Sequence, residues 1–291
     1  MRRVFRFAGF SLLFLVGVVV IAYGVIHLLS NNAIEHRYPV PAVSLVVPGD
    51  AASIAEGERL ATVRGCYLAC HGTKGTGDSM VDSFMLGTVN APNLYQAAQK
   101  YSDSELAALI RFGVRPDGHG VLIMPSQTFH GLNDLDLGRI IAFLRTLPPS
   151  SGPARLERLG PVLEVAFAFG KIKTAPEQIA ELAPLPPAPT QAAEIGRYVA
   201  TTSCTECHGN ALEGSVNPEF TSPDLHIVRG YSQAEFKKLM REGVALGNRQ
   251  VGLMSEIAKL DLNQLTDSEI DSLYSYLHEF GGPARLVAAQ P

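Results

Sequence analysis

Two short clusters, Cys66-Tyr-Leu-Ala-Cys70-His71 and Cys204-Thr-Glu-Cys207-His208, contain every cysteine of this 291-residue chain. No thiol is left for a bridge elsewhere, so cysteine is reserved for whatever these clusters hold. The sequence around them repeats. Ala55-Glu56 and Arg59 match Ala193-Glu194 and Arg197 at an offset of 138. Tyr101-Ser102, Glu105, Leu109, Arg111 and Gly113-Val114 match Tyr231-Ser232, Glu235, Leu239, Arg241 and Gly243-Val244 at an offset of 130. Met124 with Met254, Leu132 with Leu262, Asn133 with Asn263, Ile140 with Ile270 and Leu147 with Leu277 keep that second offset. One fold is used twice.

The repeated unit reads as helical. Ser102 with Glu105, Ser232 with Glu235 and Thr266 with Glu269 form capping boxes, in which a hydroxyl accepts from an orphan amide and the acid accepts in return. Behind them, apolar residues fall at helical spacing: Ile140, Ile141, Phe143, Leu144 and Leu147 in one half, Ile270, Leu273, Tyr274 and Leu277 in the other. Little alternates with period two. The expectation is an all-α fold in two tandem domains, with irregular loops rich in glycine and proline.

Cys204-Thr-Glu-Cys207-His208 is the attachment pattern of a c-type haem. On a helix, residues i, i+3 and i+4 share a face, so two thiols reach the two vinyl groups while the histidine points at iron. The first cluster carries one residue more. His71 still follows Cys70 directly, whereas Cys66 is rotated by about 100° on a regular helix unless the turn bulges. Two thiolates and an imidazole also suit zinc, or the thiols could pair as a disulfide, and both remain alternatives at the first cluster. The ordinary haem motif in the same surroundings of the second half argues for haem in both.

A six-coordinate iron needs a ligand opposite the histidine, and a thioether there raises the reduction potential. Met124 and Met254 are the candidates, because they align by the repeat, follow the capped helix and precede the final one. Met80, Met85 and Met240 lack that symmetry. His119 and His130 are competitors in the first domain without counterparts in the second.

The N-terminus is apolar from Phe7 to Leu29, long enough to cross a bilayer, and no small-residue cleavage site follows. Arg2, Arg3 and Arg6 precede it, which leaves the N-terminus in the cytoplasm and the rest outside. The Arg2-Arg3 pair is set aside as a twin-arginine signal, since that route exports folded proteins and haem is attached to an unfolded chain. His27 lies near the outer end of the span. From Tyr38 to Asp50 the prolines favour an extended tether of roughly 40 Å at about 3.1 Å per residue, holding the first domain off the membrane. Val162–Gly170 (VLEVAFAFG) is too short to span and reads as a helix packed on a domain, with a membrane-dipping hairpin as the alternative. Pro184–Pro189 separates the halves. The net charge of −4 is modest, with no basic stripe, so nucleic acid is excluded as a partner. Residues 191–291 alone sum to −5, making the second domain the acidic one.

With these residues in hand, each half resembles a class I cytochrome c domain, and the chain resembles the membrane-bound di-haem cytochromes c of bacterial respiratory chains. The resemblance covers residues 52–148 and 191–281. The remainder divides into an anchor at 1–30, the tether at 31–51, a connecting segment at 149–190 and a tail at 282–291. The resemblance implies two covalent haems held by Cys66, Cys70, His71 and Met124 and by Cys204, Cys207, His208 and Met254. It further implies that the carbonyls of Pro92 and Pro223 hold the outer nitrogens of His71 and His208. The GLM run followed by LTDSEIDSLYSYL is similar to cytochrome subunits of membrane dehydrogenases. The implied function is single-electron transfer from a quinol-oxidising complex or periplasmic dehydrogenase to a terminal oxidase or soluble carrier, at the periplasmic face of a bacterial inner membrane. The alternative is a redox enzyme of the di-haem peroxidase or thiosulfate-oxidising type, which needs one haem with an open position.

Overall fold

The structure, a computed structural model, describes residues 2–153, 156–182, 192–216 and 221–279. The proline run at 184–189 and the tail at 282–291 lie outside the described residues. Helix α1 (Arg2–Ile34) is one uninterrupted rod. Its Gly9–Ile34 stretch has a mean hydropathy of 2.7, and its most apolar window is not buried by the protein at all. It is the one helix among the described residues long and apolar enough to cross a membrane.

The first domain is built on the crossing of α2 (Ala51–Val63) and α6 (Asp134–Thr146). The helices approach so closely that a Cβ on Gly57 would lie 1.9 Å from the Arg139 carbonyl oxygen. Helices α3 (Leu94–Lys100), α4 (Asp103–Phe112) and α5 (Ser126–Phe129) complete a core of Leu60, Leu106, Ile110, Phe129, Leu137, Ile140, Ile141 and Leu144. Each such side chain contributes about 1.5–3 kcal/mol when fully buried. The second domain repeats the plan. Helices α9 (Ala192–Ser203) and α13 (Asp267–Glu279) cross with Gly196 against the Ser272 carbonyl oxygen, and α10 (Thr205–His208), α11 (Gln233–Glu242) and α12 (Leu253–Leu260) fill the rest. All three expected capping boxes form.

Three local features depart from the sequence reading. A three-stranded antiparallel sheet is present, with β1 (Asp78–Ser83) paired to β2 (Gly87–Ala91) and β2 to β3 (Glu157–Leu159); a two-stranded ribbon, β4 (Ser215–Val216) and β5 (Thr221–Ser222), occupies the corresponding loop of the second domain. The connecting segment is therefore part of the first domain: it supplies β3, and its short α8 (Ala175–Ala180) packs on α5. Helix α7 (Pro161–Ala168) packs chiefly on α1.

The tether is extended but does not hold the domain away from α1. Val43, Leu45 and Val47 alternate inward onto the first core while Ala42, Ser44 and Val46 face out. The Tyr38 amide donates to the Gly118 carbonyl, and the Tyr38 hydroxyl lies 2.8 Å from Thr174 Oγ1. Burial of a period-two apolar face outweighs the freedom that a proline-rich segment would keep in solution.

The two domains meet across a pseudo-two-fold seam. Arg64 and Thr202, which correspond at the offset of 138, touch each other at 3.2 Å, as equivalent residues do beside a two-fold axis. Val63 of α2 enters the second core, and Tyr198 of α9 packs against the first. Arg59 bridges Glu56 on its own helix to Glu269 and the Gln264 carbonyl across the seam. On the mirrored side Tyr198 donates to Asp136 at 2.6 Å and contacts Asn133.

Candidate functional site

The extra residue of the first cluster is absorbed by a π-helical turn, Cys66–Cys70, in which the Cys70 amide donates to the Gly65 carbonyl at 2.8 Å, a five-residue step. The widened turn holds one residue more than an α turn, so the anticipated bulge replaces a rotated Cys66. Gly65 enters it at φ 70, a left-handed conformation open to glycine. In the second cluster the ordinary spacing gives an ordinary turn: the His208 amide donates to the Cys204 carbonyl at 2.9 Å, a four-residue step.

Both imidazoles are held in the same way. His71 Nδ1 lies 2.8 Å from the Pro92 carbonyl oxygen, and His208 Nδ1 lies 2.8 Å from that of Pro223. Each Nδ1–H donates to its carbonyl, which fixes the tautomer and leaves Nε2 as a lone-pair donor. Burial lowers the pKa of both histidines, so neither is protonated at neutral pH. Burial also pushes the thiols up, to about 12 for Cys66, Cys70 and Cys204 and about 11 for Cys207. They are thiols, not thiolates, while nothing is bound to them. Among the described residues no group of three or more His, Cys, Asp or Glu side chains is placed to hold a metal ion.

A cavity of about 780 Å³ opens beside the first cluster. Cys66, Cys70, His71 and Met124 all line it, with apolar walls from Leu106, Leu109, Ile110, Phe129, Leu132 and Leu144. Two thiols, a free imidazole nitrogen, a thioether and an apolar slot make a donor set and shape that fit a haem. Met254 stands at the start of α12, half-buried against the second core. Of the competing histidines, His119 has both ring nitrogens engaged, with Nε2 and Nδ1 3.0 and 3.1 Å from Glu35 and Asp117, and His130, whose Nδ1 lies 3.0 Å from the Arg111 carbonyl, does not line the cavity. Met240 is buried in the second core, and Met85 faces outward.

Sequence reading missed the charged groups that face the clusters across the seam. Glu206 lies between Cys204 and Cys207 but borders the first cavity, and burial pushes its carboxyl up to about 7. Asp261 is buried with neither carboxylate oxygen hydrogen-bonded, and burial, then the neighbouring Glu206, raises it to about 7. Both carboxyls, and Cys207, act on Cys70. The clusters thus stand close together on opposite sides of the seam. A carboxylate inside the second motif was visible in the sequence; its position beside the first motif depends on domain docking.

A family model of cytochrome c matches the chain twice, over residues 54–148 and 193–280, which together make up more than half of its length. No curated protein matched the chain.

Proposed function

The chain belongs to the cytochrome c family, whose domains bind haem c covalently and transfer electrons, and we propose that it is a membrane-anchored, periplasmic di-haem electron carrier of a respiratory chain. When bound, each haem supplies one reversible Fe(III)/Fe(II) exchange. The observation that carries the reading is that Glu206, inside the second cluster, lines the same cavity as Cys66, Cys70 and His71, so the two clusters meet across the pseudo-two-fold seam and an electron entering one domain has a short path to the other. Cys66 and Cys70, with Cys204 and Cys207, would attach the haems, and His71 with Met124 and His208 with Met254 would hold their irons. The Pro92 and Pro223 carbonyls aim the imidazoles, and the apolar walls exclude water, which favours the reduced, less charged iron.

On this reading helix α1 is the anchor, its arginine-flanked start stays inside, and the haem domains follow its far end outside. The partners are a quinol-oxidising complex or dehydrogenase on one side and a terminal oxidase or soluble carrier on the other. The net charge of −5 in residues 191–291 favours a basic acceptor with a salt-sensitive on-rate. The reading is tested on full-length protein matured in a haem-attaching host. Intact mass should show two added porphyrins, the protein should fractionate with membranes, and a redox titration should resolve two one-electron steps. One porphyrin or none, or a soluble full-length product, would overturn it.

A further inference from the structure

The first cavity does not end at the haem slot. It continues past Val89 and Arg115 to Ser30, Asn31 and His27 on α1 and to Glu164 on α7, so one space connects His71 with the outer end of the membrane helix. This far end is polar and under-satisfied. Glu164 is only 8% exposed; its Oε1 lies 2.9 Å from His27 Nδ1, and its Oε2 has no hydrogen-bond partner. Ser30 is 1% exposed and its Oγ is likewise unpartnered. Two buried, unpartnered oxygens facing a cavity are places where a polar ligand with hydroxyl donors can be held.

The surroundings select the kind of donor. A span of about 20 residues crosses the hydrocarbon, which sets His27 near the outer interface of a helix whose apolar stretch begins at Phe7. Around it the surface is apolar and exposed: Val162, Val165 and Phe169 in and just after α7, and Phe84 and Met85 on the β1–β2 turn. That turn is tied to the start of α7, because the Val162 amide donates to the Met85 carbonyl at 3.0 Å. Such a rim belongs in the headgroup region of a bilayer. The ligand must therefore be lipid-soluble, carry hydroxyl donors and reach toward the first haem site.

We propose that α1, α7 and the first domain together form a binding site for a membrane hydroquinone, which is the direct electron donor to this protein. The inference rests on the reading of the chain as a membrane-anchored haem protein. The ring lies between Ser30 and Glu164, and its isoprenoid tail leaves along α1 past the apolar rim. On oxidation both hydroquinone O–H bonds break. One proton passes to Glu164 Oε2 and the other to His27, whose side chain is 56% exposed and returns protons to water. Two electrons leave singly for two equivalents of ferric haem c, giving quinone and two ferrous haems. Tyr23, whose hydroxyl hydrogen-bonds the Glu164 carboxylate, and His27 face this end from α1, Glu35 from just past its end, and Arg115, Glu157 and Arg158 from the first domain.

The test uses full-length, haem-loaded protein in detergent, oxidised and kept anaerobic. Decylubiquinol should reduce the haems, and Glu164→Gln should slow that reduction by at least about tenfold, as expected for loss of a proton acceptor. Dithionite-reduced spectra of parent and variant should coincide, showing intact haem sites. Independently, a photoactivated azido-ubiquinone should label peptides within residues 23–35 or 161–169, and excess decylubiquinone should suppress the labelling. Ser30→Ala, a smaller change, should weaken the labelling if Glu164→Gln fails to accumulate. A membrane-bound, two-haem protein that dithionite reduces and decylubiquinol does not would overturn the quinol site alone. Equal rates in parent and Glu164→Gln, or labelling that competitor leaves unchanged, would do the same. Absence of haem or of membrane association would instead overturn the carrier reading.

Discussion

Arg59 holds the seam between the domains, and its removal gives a worked measure of that seam. Its guanidinium donates to both carboxylate oxygens of Glu269, at 2.8 and 2.9 Å, and to the Gln264 carbonyl at 3.0 Å, while Glu56 completes its pairing from the same helix. The Arg59 and Glu269 side chains are 18% and 19% exposed. Exposed pairs are worth about 0–1 kcal/mol and breaking a fully buried one costs roughly 3–5 kcal/mol, so a pair four-fifths covered and bidentate falls between. Arg59→Met, which keeps the aliphatic stem, should cost about 2 kcal/mol, and a double-mutant cycle with Glu269→Gln should return a coupling of about 1–1.5 kcal/mol. The pair also predicts a pH window. Burial alone would raise the Glu269 carboxyl, but the hydrogen bonds and charge of Arg59 outweigh it and hold the group below its usual value. A depressed folded pKa contributes stability that is present above the unfolded value, near 4.5, and lost as pH falls through the folded one. Guanidinium-induced unfolding, followed by far-UV circular dichroism and haem absorbance, should show the full coupling at pH 7 and its decline below about pH 4.5. A coupling under about 0.3 kcal/mol at pH 7, or one that acid leaves unchanged, would refute the account of the seam.

Met254→Ala should open the second iron, so carbon monoxide should bind the dithionite-reduced variant and not the reduced parent, read in the visible spectrum; binding by the parent would favour the enzyme reading. Asp261→Asn should stabilise the protein at pH 8, by up to roughly 4 kcal/mol for a shift of about three pKa units. Because the folded carboxyl is raised to about 7, the native state holds its proton where the unfolded chain does not, stability falls as pH rises toward 7, and the gain should shrink toward pH 4 in parallel denaturation curves.

The elements legible in the sequence are those whose causes are local. Capping boxes need only a hydroxyl and an acid three residues apart, and the final helix of each half follows from apolar residues spaced for one face. The extra residue between Cys66 and Cys70 offered two outcomes, a displaced thiol or a bulge, and the π turn resolves it at Gly65, whose positive φ lets the chain enter a widened turn. The period-two run Val43, Leu45, Val47 was equally local, but proline content hid it. The strand Glu157–Leu159 gave little signal, because three residues carry too short a pattern and its pairing with β2 is a tertiary event.

What no local pattern carries is the relation between the halves. Arg59 and Glu269 are 210 residues apart, and each by itself reads as an ordinary charged helix residue. Nor do the two halves contribute alike: Arg59 grips Glu269 on one side of the pseudo-axis, while Tyr198 hydrogen-bonds Asp136 on the other. The repeat equivalents of Arg59 and Glu269 are Arg197 and Arg139, two cations that cannot pair, so the second side of the seam is held by different positions. This asymmetry has a functional consequence. Glu206 and Asp261 both come from the second domain and both press on the first cluster, while the corresponding positions in the first domain, Leu68 and Gly131, carry no charge. Two sites with the same ligand set therefore sit in different fields. On the proposed function, an ionised Asp261 would place negative charge beside the first cluster and favour the oxidised form of a haem held there, so Asp261→Asn should raise the potential of one of the two steps in a redox titration at pH 8.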